Sequence, residues 1–168
     1  VIPQPFGALL SATLDNRGRI VDRALATGTA GILDIGGKTT NLLSVNRLSE
    51  IGHETESVNV GAWDAVRSVR RWLADNCPDL DLRDHEIVKA IIDREVGYYG
   101  DAVDLTEPVE DALRPLAREV VAVASQIWNG GANLAAILIS GGGALLLGPY
   151  VCDHFPHARV VDDPVFAN

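Results

Sequence analysis

Residues 31–45 read GILDIGGKTTNLLSV, and no other stretch limits the fold as much. Apolar β-formers flank a Gly36-Gly37 turn, which is the pattern of an antiparallel hairpin. Asp34 closes the first apolar run just before that turn. A more polar third strand is expected near residues 54–60, ended by Gly61. Far along the chain, AILIS at 136–140 is a short buried strand. It runs through Gly141-Gly142-Gly143 into a helix of about 144–155, and a last strand is expected at 158–161.

The remaining segments are helical. Phe6, Leu9, Leu10, Thr13 and Leu14 recur at helical spacing within 3–14, and Asn16-Arg17-Gly18 stops that run. Residues 62–76 carry an apolar stripe of Ala62, Val66, Val69 and Leu73, and Pro78 ends it. Asp81 with Asp84 resembles a capping box opening a helix that runs to about Val96, where Tyr98-Tyr99-Gly100 breaks it. Thr106 is the expected cap of a long helix to Trp128, with Pro115 marking either a kink or a separate first turn. The order is helix, three strands, several helices, strand, turn, helix, strand. That mix implies an α/β layer in which antiparallel hairpins join parallel strands.

Composition narrows the function. With 168 residues, 14 Lys+Arg against 23 Asp+Glu give a net charge of −9, and 47% of residues are hydrophobic. A core is affordable and wholesale disorder is excluded. The acidic balance argues against direct binding to nucleic acid or to an anionic membrane. No apolar run nears the roughly 20 residues that a spanning helix needs. Cys77 and Cys152 lie far apart in no zinc or CxxC spacing, which suits a reduced, cytoplasmic setting. The sequence holds no Met, so a processed product or a piece of a longer protein is expected.

Three segments could carry chemistry. A carboxylate at a strand end, as Asp34 is, makes a natural Mg²⁺ ligand, direct or through water. Gly36 and Gly37 permit close approach of backbone N–H groups to a phosphate, with Lys38, Thr39 and Thr40 as further donors. An ordinary hairpin turn would need the same glycines. A Walker A loop is rejected, because position 32 is Ile where that loop needs Gly and the sequence after Thr40 continues as a strand. The second segment is Gly141, Gly142 and Gly143 between strand and helix, where backbone and a helix N-terminus can meet a ligand. A purely structural turn explains it as well. The third is Gln4, at the start of the first helical run, which could orient a hydrolytic water or simply face solvent. His53, His85, His154 and His157 have no metal-ligand spacing.

Together the segments resemble the actin/Hsp70/sugar-kinase ATPase superfamily, and look most like bacterial actin-like proteins of the ParM/StbA plasmid-segregation type. DIGGKTTN at 34–41 resembles the family's second phosphate loop, ISGGGA at 139–144 its adenosine motif, and VIPQPFGA at 1–8 the start of its inter-domain helix. DPVFAN at 163–168 resembles the return to the first domain. Asn41 stands where the family usually has Asp, and a first phosphate loop is not found.

The resemblance implies an RNase H-like domain of mixed sheet, with three sequential antiparallel strands plus parallel ones. It would be the second domain of an actin-like ATPase, with a core of residues 1–60 and 135–168 and a helical insertion at about 61–134. ATP and Mg²⁺ would bind between two domains. Asp34 would hold the metal, Gly36 to Thr40 the phosphates, and Gly141 to Gly143 the adenosine. Gln4 would place the attacking water. Expected partners are the N-terminal domain, further filament subunits and an adaptor on plasmid DNA, with no direct contact to nucleic acid or membrane. Half of a sugar kinase or Hsp70-like chaperone, or a non-catalytic interaction domain of the same fold, are the alternatives.

Overall fold

The computed structural model describes residues 6–164. The chain opens with α1 (Phe6–Thr13) and α2 (Arg23–Thr27), then β1 (Thr29–Ile35), β2 (Thr40–Asn46) and β3 (Ser49–Val58). Next come α3 (Ala62–Asn76), α4 (Asp84–Asp93), the short strands β4 (Glu95–Tyr98) and β5 (Asp101–Asp104), and α5 (Thr106–Ile127). It closes with β6 (Ala136–Ser140), α6 (Ala144–His154) and β7 (Ala158–Val160).

Five strands form one sheet in the order β3-β2-β1-β6-β7. β1, β2 and β3 are antiparallel to one another, whereas β6 runs parallel to β1 and β7 parallel to β6. The mixed sheet is therefore the expected one. Alternation in the strands serves two faces. Leu33, Ile35, Leu42, Ile137 and Ile139 join one large apolar cluster with α3, α4, α5 and α6. Ile32, Leu43, Val45 and Leu138 join a smaller one with Ala8 and Leu9 of α1 and Leu25 of α2. Three layers result, and the central strands are apolar on both sides, as strands buried on both faces must be.

Several local expectations are corrected. The helix beginning near Asp84 is capped by Arg83, whose N–H donates to Glu86 Oε2 at 2.8 Å, not by the Asp81–Asp84 pair. It stops at Asp93 because Arg94 turns left-handed at φ 60°. Val96 then belongs to a small hairpin, β4–β5, whose turn residues Tyr99 and Gly100 have φ of 51° and 92°, the twist that suits a two-residue hairpin turn. Segment 61–134 is thus not wholly helical. Leu105, not Thr106, caps α5, and Pro115 sits inside one continuous 22-residue helix. Among the described residues no helix is long and apolar enough to cross a membrane.

Candidate functional site at the carboxyl ends of the central strands

The turn between β1 and β2 is closed by Gly36 N–H donating to the Thr39 carbonyl at 2.8 Å. The carbonyls of Gly36 and Gly37 accept from Ala62 N–H at 3.0 Å and Trp63 N–H at 2.9 Å. These are first-turn donors of α3, which a helix leaves without internal partners. Gly61 N–H in turn donates to Asp64 Oδ2 at 3.0 Å. A trans peptide holds its C=O and N–H on opposite sides. With both carbonyls aimed at α3, the N–H groups of Gly37 and Lys38 point away from it. Two successive donors turned the same way form the concavity that cradles an anion. The Lys38 side chain is exposed and Thr39 is half-buried. Thr40 differs from expectation: it is fully buried and its hydroxyl donates to the Val60 carbonyl at 2.8 Å, tying β2 to the entry of α3.

β6 brings the second turn alongside. Asp34 and Ser140 are opposite residues of the parallel β1–β6 pair, and both are buried. Gly141 follows at φ 90°, and a Cβ built there would lie 2.5 Å from Asp34 Oδ1 and against the Ile35 carbonyl. Its N–H donates to the Pro164 carbonyl at 2.8 Å, and Gly143 N–H donates to the Ile35 carbonyl at 2.8 Å. Gly141 and Gly143 are buried, and Gly142 is exposed with open space where its Cβ would be. Both glycine turns and Asp34 therefore meet beyond the carboxyl ends of adjacent parallel strands, where open α/β sheets receive ligands. Asn41 stands opposite Asp34 on β2, and its Oδ1 accepts from the Ser57 hydroxyl at 2.9 Å. Gln4 lies outside the described residues.

Beside α6 a cleft of about 320 Å³ is lined by Ile92 of α4, Glu110 of α5, and Leu145 and Tyr150 of α6. Ile92 and Leu145 are half exposed, at 51% and 56%. Beneath them Glu110 Oε1 accepts from Tyr150 OH at 2.8 Å and pairs with Arg94 Nη1 at 2.7 Å. The Tyr150 hydrogen bond, with those from Arg94 and Arg114, holds the Glu110 carboxyl below its ordinary range against the opposing effect of burial. Burial and the same carboxylate push the Tyr150 phenol up. Sequence reasoning missed this trio because its members are far apart in the chain. It also missed Trp63, although an aromatic residue in a first helical turn just after Gly61 was an available signal.

Residues 32–152 match the family model described as archaeal actin homologue MreB-like, C-terminal. The chain belongs to this family of actin homologues. Among solved structures it is similar to the crystal structure of Ta0583, an archaeal actin homolog, at 22% identity and TM-score 0.79, covering 99% of this chain and 51% of that one. The same protein in complex with ADP matches at 23% identity and TM-score 0.76, over 99% and 54%. A 15-stranded ParM filament from Clostridium botulinum matches at 21% and 0.75, over 99% and 50%. These likenesses show the actin-like fold. The chain spans about half the length of the solved structures it matches. No curated protein matches it in sequence.

For this actin-like domain, the chemistry of the donor set bears on an implied Mg²⁺. Among the described residues no three His, Cys, Asp or Glu side chains gather to hold a metal by themselves. A single buried carboxylate, Asp34, beside a turn with two outward N–H groups fits a hard cation that keeps most of its waters and takes its other ligands from a bound anion. Cys77 and Cys152 are free thiols; burial pushes the Cys152 thiol up.

Proposed function

We propose that the chain is the nucleotide-binding half of an actin-like, filament-forming ATPase. The observation that carries this reading is the meeting of two glycine turns and Asp34 beyond β1 and β6. Gly37 and Lys38 N–H groups would take the phosphates, with Gly36 and Thr39 shaping the turn and Thr40 tethering it. Gly142 would face the adenosine, whose base would rest on the apolar shelf of Ile92 and Leu145. Asp34 would hold Mg²⁺ through water, and the ion would neutralise charge on the phosphates. Gln4, just ahead of α1, would orient the attacking water. The ADP-bound archaeal actin homolog supports the ligand class, and the ParM filament supports self-association. The finer reading is plasmid segregation in the cytoplasm, through an adaptor that itself holds the DNA; the charge of −9 agrees with a filament that does not touch DNA.

Phosphoryl transfer needs the γ-phosphate held from both sides. The 168-residue chain should therefore turn over ATP negligibly by itself. In the complete encoded protein, Asp34→Ala should abolish Mg²⁺-dependent hydrolysis, and Gln4→Ala should lower kcat with KM little changed. Brisk hydrolysis by the 168-residue chain alone, lost in Asp34→Ala, would overturn the half-site reading.

A further inference from the structure

Trp63 stands where the turn of residues 36–39 and α3 meet, and the residue is 38% exposed. Its backbone N–H holds the Gly37 carbonyl at 2.9 Å. Its indole fills the space a side chain at residue 37 would take: a Cβ there would lie 2.6 Å from Trp63 Cδ1 and closer still to Nε1. A ring of this size at a helix start, left partly in water, contributes less to the core than a buried one would. The ring covers the side-chain face of Gly37, while the 37–38 peptide itself lies against Gly61, where a Cβ would come within 2.4 Å of the Gly37 oxygen and 2.6 Å of the Lys38 nitrogen; between ring and helix start the turn has little room to rearrange.

We infer that Trp63 is a positioning residue, locking the turn of residues 36–39 with its two N–H donors outward and so selecting for the phosphate part of a ligand rather than its base. This deepens the nucleotide reading above and rests on it. The adenosine side of the site is built by Gly142, Ile92 and Leu145, none of which forms the turn. Trp63 should therefore separate the two halves of one ligand. It also links phosphate occupancy to α3, because the same residue begins that helix.

Calorimetry on the complete encoded protein, with Mg-ATP and adenosine as separate ligands, tests this. Trp63→Ala should weaken Mg-ATP about tenfold, the loss of roughly one charge-assisted hydrogen bond, and leave adenosine affinity unchanged. Trp63→Phe keeps a flat ring over Gly37 and should retain most of the Mg-ATP affinity. In protein labelled with 5-fluorotryptophan, the Trp63 ¹⁹F resonance, assigned from Trp63→Phe, should move with Mg-ATP and with inorganic pyrophosphate but not with adenosine. Equal losses for both ligands would make Trp63 a packing residue and overturn the inference. So would an unchanged Mg-ATP affinity in Trp63→Ala. If the wild type takes neither ligand, the nucleotide reading itself fails and carries this one with it, a result visible before any variant is made.

Discussion

The two glycine-rich turns occupy the same end of the sheet, yet they use glycine for opposite purposes. In the turn of residues 36–39 the carbonyls are tied back to α3 and two N–H groups face outward. In the turn of residues 141–143 the N–H groups of Gly141 and Gly143 are tied inward, to Pro164 and Ile35, and Gly142 alone faces out. One turn presents donors. The other lets β6 and the start of α6 approach Asp34 and Ile35 closely enough to build the site. A glycine run in a sequence does not distinguish these uses, because both need the missing Cβ.

The sharpest way to break this contrast is Gly141→Ala. The new Cβ would meet the Ile35 carbonyl and Asp34 Oδ1 at a φ of 90°, so strain and overlap add. Each is a cost of about 1–3 kcal/mol, so together they remove a large part of the roughly 5–15 kcal/mol that holds a domain folded. Urea unfolding should show a midpoint moved far down, by a loss of about 2–6 kcal/mol. A variant with wild-type stability would mean that Gly141 faces outward as Gly142 does.

The same contrast explains what was legible beforehand. β1, β2 and β6 stood out because apolar runs end at glycine punctuation, and their pairing as a hairpin plus a separate parallel strand followed from their spacing. α2 was missed: five residues capped by Asp22 carry too little periodicity to register. β4 was absorbed into the preceding helix because Ile91, Ile92 and Val96 approximate helical spacing, and only the left-handed Arg94 interrupts it. Within the site, Asp34 and every glycine were identifiable as residue types. Which glycines face outward was not, since it depends on contacts with Trp63, Ile35 and Pro164 that lie far away in the sequence or across strands. Thr40 illustrates the limit: its hydroxyl reads as a donor for phosphate and is instead bonded to Val60.

A second, smaller effect is expected at Gly37. Gly37→Ala drives a Cβ into the Trp63 indole, the movable end of a side chain that is partly in solvent, so the ring can swing away at a cost of about 1–2 kcal/mol. Adding Trp63→Ala should restore most of that loss. In a double-mutant cycle the coupling between the two should exceed about 0.5 kcal/mol, the value expected for residues in contact. Additive losses would remove the contact from the account.

The shelf beside α6 offers a side-chain counterpart to the two backbone turns. Tyr150→Phe removes the hydrogen bond to Glu110 and should cost about 1 kcal/mol, with Arg94 still paired to the carboxylate. Because the folded-state pKa of Glu110 is held below its ordinary 4.5, the folded protein binds a proton there less readily than the unfolded chain. This stabilisation is present above about pH 4.5 and is lost as pH falls through the lower folded value. The wild type should therefore lose more stability than Tyr150→Phe does between pH 5 and the onset of acid unfolding, at roughly unchanged stability ranking above it. Parallel acid profiles for the two proteins would show that Tyr150 does not perturb Glu110.

The smallest stability change is expected where the functional change is expected to be large. Gly142 is exposed, carries no left-handed φ, and would place a Cβ in open space. Gly142→Val should accordingly shift stability by no more than about 0.5 kcal/mol, as exposed substitutions away from special features do. Under the nucleotide reading that open space is where adenosine lies, so the valine would exclude it. Thermal melts with and without Mg-ATP on this one variant of the complete encoded protein separate the possibilities, because only a competent site gives a ligand-dependent rise in Tm. A near-native melt that no longer rises with Mg-ATP supports an outward, ligand-facing Gly142. A melt that still rises as in the wild type moves the adenosine elsewhere and leaves Gly142 an exposed turn residue beside two packing glycines.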